Sequence, residues 1–75
     1  MSETYNIKGQ DGIQVFTDLP EGAQVTLTNG AVGTIIGNPR DGAFLEVTYS
    51  EHPDSSLVGA DEFVFFNQVE SAASK

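Results

Sequence analysis

Short runs of alternating apolar and polar residues, each cut off by a glycine-bearing turn, constrain this chain more than any other feature. The clearest case is Asn29-Gly30, which stands between residues 24–28 (QVTLT) and 31–37 (AVGTIIG). A type I′ turn needs positive φ at both central residues, which Asn and Gly accept most readily, so this dipeptide predicts a β-hairpin. Asp18-Leu19-Pro20-Glu21-Gly22 and Asn38-Pro39-Arg40-Asp41-Gly42 read as further reverse connections, because proline presets φ for a turn and glycine completes it. Apolar spacings of three and four seldom persist between these turns. The chain therefore reads as all-β, with no helix predicted.

Ile13, Gln14, Val15 and Phe16 are expected as a first strand, and Val25 and Leu27, set among Gln24, Thr26 and Thr28, as a half-buried second. A third follows in residues 31–37, where Gly33 marks a bulge or a close backbone approach. The fourth, residues 43–49, places Leu45, Val47 and Tyr49 on one face and Phe44, Glu46 and Thr48 on the other. Residues 50–60 form the longest polar stretch, a loop ending in Leu57 and Val58. In residues 61–68, Phe63, Val64, Phe65 and Phe66 make a fifth strand covered in part on both faces. An open flat sheet of so few residues leaves a face and two edges bare. A small five-stranded SH3-like barrel is therefore expected, with a strongly twisted antiparallel meander as the alternative. Residues 1–12 read as an N-terminal arm, 13–70 as the single barrel domain and 71–75 as a disordered tail.

With 75 residues there is room for one core only, and a domain near this size buries roughly 60% of its unfolded surface. The chain has no cysteine, which removes thiol catalysis and thiolate metal sites and fits a reducing compartment. No export-type apolar run precedes Lys8, and no segment approaches the roughly 20 apolar residues of a membrane span. A cytoplasmic protein with no membrane contact is expected. Eleven acidic residues against three basic ones give a net charge of −8. Nucleic-acid binding draws on clustered cations, whereas Lys8, Arg40 and Lys75 are scattered, so direct nucleic-acid contact is disfavoured. The charge suits a basic protein partner instead.

Residues 22–36 (GAQVTLTNGAVGTII) resemble the KOW-type pattern of small SH3-like barrels. One glycine precedes an alternating strand, a second makes the turn and a third precedes a Val/Ile-rich strand. The resemblance implies a small barrel that binds RNA or protein. Gln24, Thr26, Thr28 and Ala31 stand where such modules often carry Lys or Arg, so the resemblance extends to the fold further than to the ligand.

No catalytic residue, metal or cofactor is expected. His52 lies near Glu51 and Asp54, with Asp61 and Glu62 further along, but their spacing matches no standard zinc or calcium pattern. The aromatic residues are the more informative set. Phe63 and Phe65 alternate with Val64 and Phe66, so one pair points outward or is capped by Leu57 and Val58, or by Tyr5 and Ile7. Candidate partner-binding residues are Phe44, Tyr49, Phe66 and Leu57, together with Arg40 on the turn before the fourth strand. The expected function is that of a small acidic accessory or regulatory module docking on a larger protein. The alternatives are a nucleic-acid-mimicking inhibitor of a DNA- or RNA-binding protein and a KOW-like nucleic-acid-associated module.

Overall fold

The computed structural model describes residues 4–74, so residues 1–3 and Lys75, parts of the expected arm and tail, lie outside the described residues. Its strands are β1 (Thr4–Tyr5), β2 (Gln24–Leu27), β3 (Val32–Gly37), β4 (Phe44–Glu51), β5 (Asp61–Phe65) and β6 (Val69–Ala73). One short helix, α1 (Gly12–Thr17), and two 3-10 turns, Ser55–Leu57 and Phe66–Gln68, complete the described elements. The fold is all-β with little helix. A single antiparallel sheet holds the described strands in the order β1-β6-β2-β3-β4-β5, and among the described residues no pairing joins its edges, β1 and β5.

The β2–β3 hairpin forms where the turn chemistry places it, but by a different turn. Gly30 N donates to Leu27 O at 3.0 Å, Leu27 N donates to Ala31 O at 2.8 Å, and Asn29 Oδ1 accepts from Ala31 N at 2.9 Å. Gly30 takes a φ of 91° while Asn29 is not left-handed. A three-residue loop, Thr28-Asn29-Gly30, therefore replaces the two-residue type I′ turn. On β4 the alternation holds as read: Leu45, Val47 and Tyr49 are buried, and Phe44, Glu46 and Thr48 line the opposite face.

The expected first strand is instead helix α1. Gly12, Phe16 and Leu19 are buried while Ile13 is exposed, so spacings of four and three decide the structure and the alternation does not. A Cβ on Gly12 would run into the Ile7 carbonyl oxygen, so glycine alone lets the helix start lie on that backbone. The other end is held from a distance: Asn38 Nδ2 donates to Thr17 O at 3.0 Å and to Leu19 O at 2.8 Å. Carbonyls at a helix end have no partner within the helix, and Asn38 supplies one.

The expected tail is likewise corrected. Residues 69–73 form β6, which lies between β1 and β2 with Val25 opposite Ala72 and Tyr5 opposite Ala72 on its other side. Val69 and Ala72 are buried, so the C-terminal segment is an interior strand of the sheet. Burial of two small apolar side chains and pairing on both edges outweigh the weak strand propensity of Ser and Ala. The N-terminal arm is tied down too, since Ile7 belongs to the core and Tyr5 packs against it.

One core cluster runs from Ile7 and Phe16 through Leu19, Val25, Ile35, Leu45 and Val47 to Val64. No helix among the described residues is long and apolar enough to cross a membrane. Gly33 sets how closely β3 meets β4: a Cβ there would lie 2.8 Å from Val47 Cγ2 and 2.9 Å from Val47 Cβ. Gly33→Ala is expected to destabilise the fold by about 1–3 kcal/mol through overpacking. In the Val47→Ala background the added methyl should cost less, a non-additivity that urea denaturation of the two single variants and the double variant will measure.

Candidate functional site

Strands β4 and β5 pair in continuous register from Phe44 opposite Phe65 to Thr48 opposite Asp61. Period-two alternation then sorts the side chains. Leu45, Val47 and Val64 point into the core, while Phe44, Phe63 and Phe65 share the outer face. Phe44 meets Phe63 edge-to-face with centroids 5.3 Å apart, and Phe65 at 6.1 Å in a tilted arrangement. Phe63 and Phe65 remain 54% and 51% exposed. Neither pair of residues expected as a cap covers them: Ile7 is in the core, and Leu57 and Val58 are themselves 37% and 48% exposed.

Carboxylates border this face. Glu46 is opposite Phe63, and Asp61 follows on the same face, its Oδ1 accepting the Thr48 hydroxyl at 2.7 Å. Among the described residues, ion pairs join Lys8 to Glu70 and Arg40 to Asp18, each at 3.7 Å, and neither involves β4 or β5. Among the described residues, the acids around the aromatics therefore form no ion pair. Exposed aromatics bordered by charge are the composition of an association surface.

The residues singled out in the sequence do not form one surface. Phe44 lies on the outer face. Tyr49 is 7% exposed, on the core side of β4, because it shares the parity of Leu45 and Val47. Its ring meets His52 edge-on at 4.7 Å. Phe66 turns away from Phe65 at the start of the 3-10 turn and packs edge-to-face on Phe16, with centroids 5.2 Å apart. Leu57 sits in the β4–β5 connection, at the opposite end of the hairpin from Phe44 and Phe65. Arg40 occupies a left-handed position with φ 62°, and its partner is Asp18 rather than the adjacent Asp41. Asp41 instead accepts from Ala43 N at 2.9 Å, closing the turn. Phe63 and Phe65 stand out in the sequence as aromatics of an alternating run; deciding which member of each pair points outward needs the register with β4.

Elsewhere the polar groups have local work. His52 Nδ1 accepts from Asp54 N at 2.9 Å, and Asp54 Oδ1 accepts the Ser56 hydroxyl at 2.7 Å and Ser56 N at 3.1 Å. The hydroxyl bond, then the amide bond, hold the Asp54 carboxyl below its ordinary pKa. No three His, Asp or Glu side chains converge among the described residues in a way that could hold a metal ion. A half-open cleft of about 310 Å³ lies between the N-terminal segment and the second 3-10 turn, lined by Ile7, Lys8, Gly9, Phe66, Asn67 and Val69. Its lining carries no carboxylate or imidazole to act as a base. Comparison with family models, curated proteins and solved structures finds no match.

Burial, and secondarily the Glu62 carboxylate, raise the Tyr49 pKa above its ordinary value of 10.0. The unfolded chain then releases this proton first, so the tyrosine's contribution to stability is whole below pH ~10 and falls as pH rises through the raised value. Tyr49→Phe is expected to flatten this alkaline decline. Urea midpoints of both proteins at about pH 8 and about pH 11 test it.

Proposed function

We propose that this chain is a small SH3-like barrel acting as a non-catalytic binding module, which docks on a larger protein through the outer face of β4 and β5. The observation that carries the reading is the group of Phe44, Phe63 and Phe65, two of them more than half exposed. Large aromatics held by a rigid strand pair lose little entropy on contact and are frequent hot spots of protein interfaces. The surrounding carboxylates and the net charge of −8 favour a basic partner and disfavour nucleic acid. The cysteine-free composition fits action in the cytoplasm.

Coiling of the sheet toward a barrel is supported by three features. Core residues next to one edge (Ile7) and on the other (Val64) belong to one cluster. Register shifts interrupt the β2–β6 and β3–β4 ladders, and such bulges increase local twist. The β2–β3 hairpin occupies the segment that resembles the KOW-type pattern. The same resemblance leaves an accessory role beside a nucleic-acid-handling protein compatible with the acidic surface.

The test is affinity capture of the partner from native extract, followed by binding measured with the purified pair. Phe63→Thr/Phe65→Thr keeps β-branched residues in the strand. It should weaken binding by about 2 kcal/mol or more, roughly thirtyfold, while the thermal melt shifts little. Equal affinity of the variant and the parent would remove the aromatic face from the interface. Binding that falls steeply with salt and is displaced by DNA would point to nucleic-acid mimicry instead.

A further inference from the structure

Strand β5 is an edge of the sheet, with β4 on one side and, among the described residues, no strand on the other. Its hydrogen-bonding parity follows from the bonds at its two ends: Tyr49 N donates to Ala60 O at 3.0 Å, and Phe66 N donates to Ala43 O at 3.1 Å. In an antiparallel pair, hydrogen-bonded and non-hydrogen-bonded positions alternate. Glu62 and Val64 therefore turn their backbone groups to β4, and Asp61, Phe63 and Phe65 turn theirs to the open side. Phe65 N is taken by Gln68 Oε1 at 2.8 Å. The N–H and C=O of Asp61 and Phe63 and the C=O of Phe65 are left facing outward, in the spacing that another strand would meet.

Natural sheets commonly blunt such an edge with a proline, a lysine, a bulge or a covering segment. β5 contains neither proline nor lysine, and its ladder with β4 has no register shift. What it carries is acid. Asp61 and Glu62 lie on the strand, Glu46 is across from Phe63, and no lysine or arginine pairs with them among the described residues. Two copies of a chain of net charge −8 repel one another, so these charges deter self-pairing while attracting a cationic strand. Among the described residues the opposite edge, β1, presents two residues against five on β5.

We infer that β5 accepts an extended, cationic segment of a partner protein as an added strand. Main-chain bonds form to Asp61 and Phe63, apolar side chains of the segment rest beside Phe63 and Phe65, and its Lys or Arg residues, alternating with them, meet Glu62 on the other face, with Asp61 and Glu46 adding to the local negative field. Main-chain pairing supplies affinity in this mode, and alternate side chains supply specificity. The inference rests on the docking reading above and adds to it the backbone mode of contact and the chemistry of the partner.

The test uses the full chain and a short, end-capped peptide of alternating lysine and valine, with amide hydrogen exchange followed residue by residue. Saturating peptide should slow exchange at Asp61 and Phe63 at least about tenfold, with little change at Glu62 and Val64, whose amides already face β4. The same peptide N-methylated along its backbone should not bind. Asp61→Asn/Glu62→Gln should weaken the parent peptide roughly two- to fivefold, an effect that added salt erases. Failure of Asp61 and Phe63 to gain protection overturns the inference, as does equal binding of the N-methylated peptide. Protection that rises with protein concentration alone also overturns it, since the occupant is then a second copy. If edge protection fails while Phe63→Thr/Phe65→Thr still abolishes binding of the full partner, face docking stands and strand addition does not.

Discussion

Pairing of β6 with β2 is the constraint on which the other elements depend. It joins residues far apart in the chain, setting Val25 opposite Ala72 and Thr26 opposite Ser71. By lying on the far side of β2 from β3, β6 gives β1 a strand to pair with and brings Ile7 into the core. The 3-10 turn Phe66–Gln68 aims the chain at this position, and Thr28 N donating to Gln68 O at 2.9 Å ties it to the β2–β3 loop. Without β6, β2 would be an edge strand and Val25, Leu27 and Ile35 would lose cover. Long-range pairing is entropically costly to close, so the buried apolar area it completes has to outweigh the ordering of both chain ends.

The helix depends on the same core. Phe16 packs edge-to-face on Phe66, Leu19 joins the core, and Asn38, on the turn before β4, donates to Thr17 O at the helix end and to Leu19 O beyond it. A six-residue helix has no independent stability in water, so packing and these two bonds hold it. The turn that carries Arg40 is fixed by the same asparagine, whose Oδ1 accepts from Arg40 N at 2.9 Å. Arg40 is thus positioned by a structural anchor. Its ion pair with Asp18 is exposed on both sides and contributes little to stability.

Core and exposed surface separate at β4 and β5. One face of this strand pair belongs to the core; the other carries aromatics that nothing in the described chain covers, beside acids with no paired cation. Each feature is ordinary by itself. Together with an unpaired edge on the same strand they give one place where apolar contact, main-chain hydrogen bonding and charge can act on a single partner segment.

The sequence by itself determined the parts whose physics is local. Asn29-Gly30 located the β2–β3 hairpin, residues 38–42 located the turn into β4, and period-two alternation divided the side chains of β4 between its two faces without saying which is buried. It set Phe44 apart from Leu45 and Val47, and for Phe63 and Phe65 it identified the alternation but not its direction. Tertiary structure decided the rest. Ile13 to Phe16 carries both a period-two and a weak helical pattern, and only packing of Phe16 against Phe66 on one side of the sheet selects the helix. Residues 69–73 carry almost no strand signal, and become β6 because two strands were already placed to bond with them. Tyr49 and Phe66 are aromatic like Phe63, yet lie against the core, since parity on β4 and the 3-10 turn after β5 direct them there. Local patterns state which conformations a segment tolerates. Which one it adopts is set by long-range burial, whose free energy exceeds the small differences in local propensity.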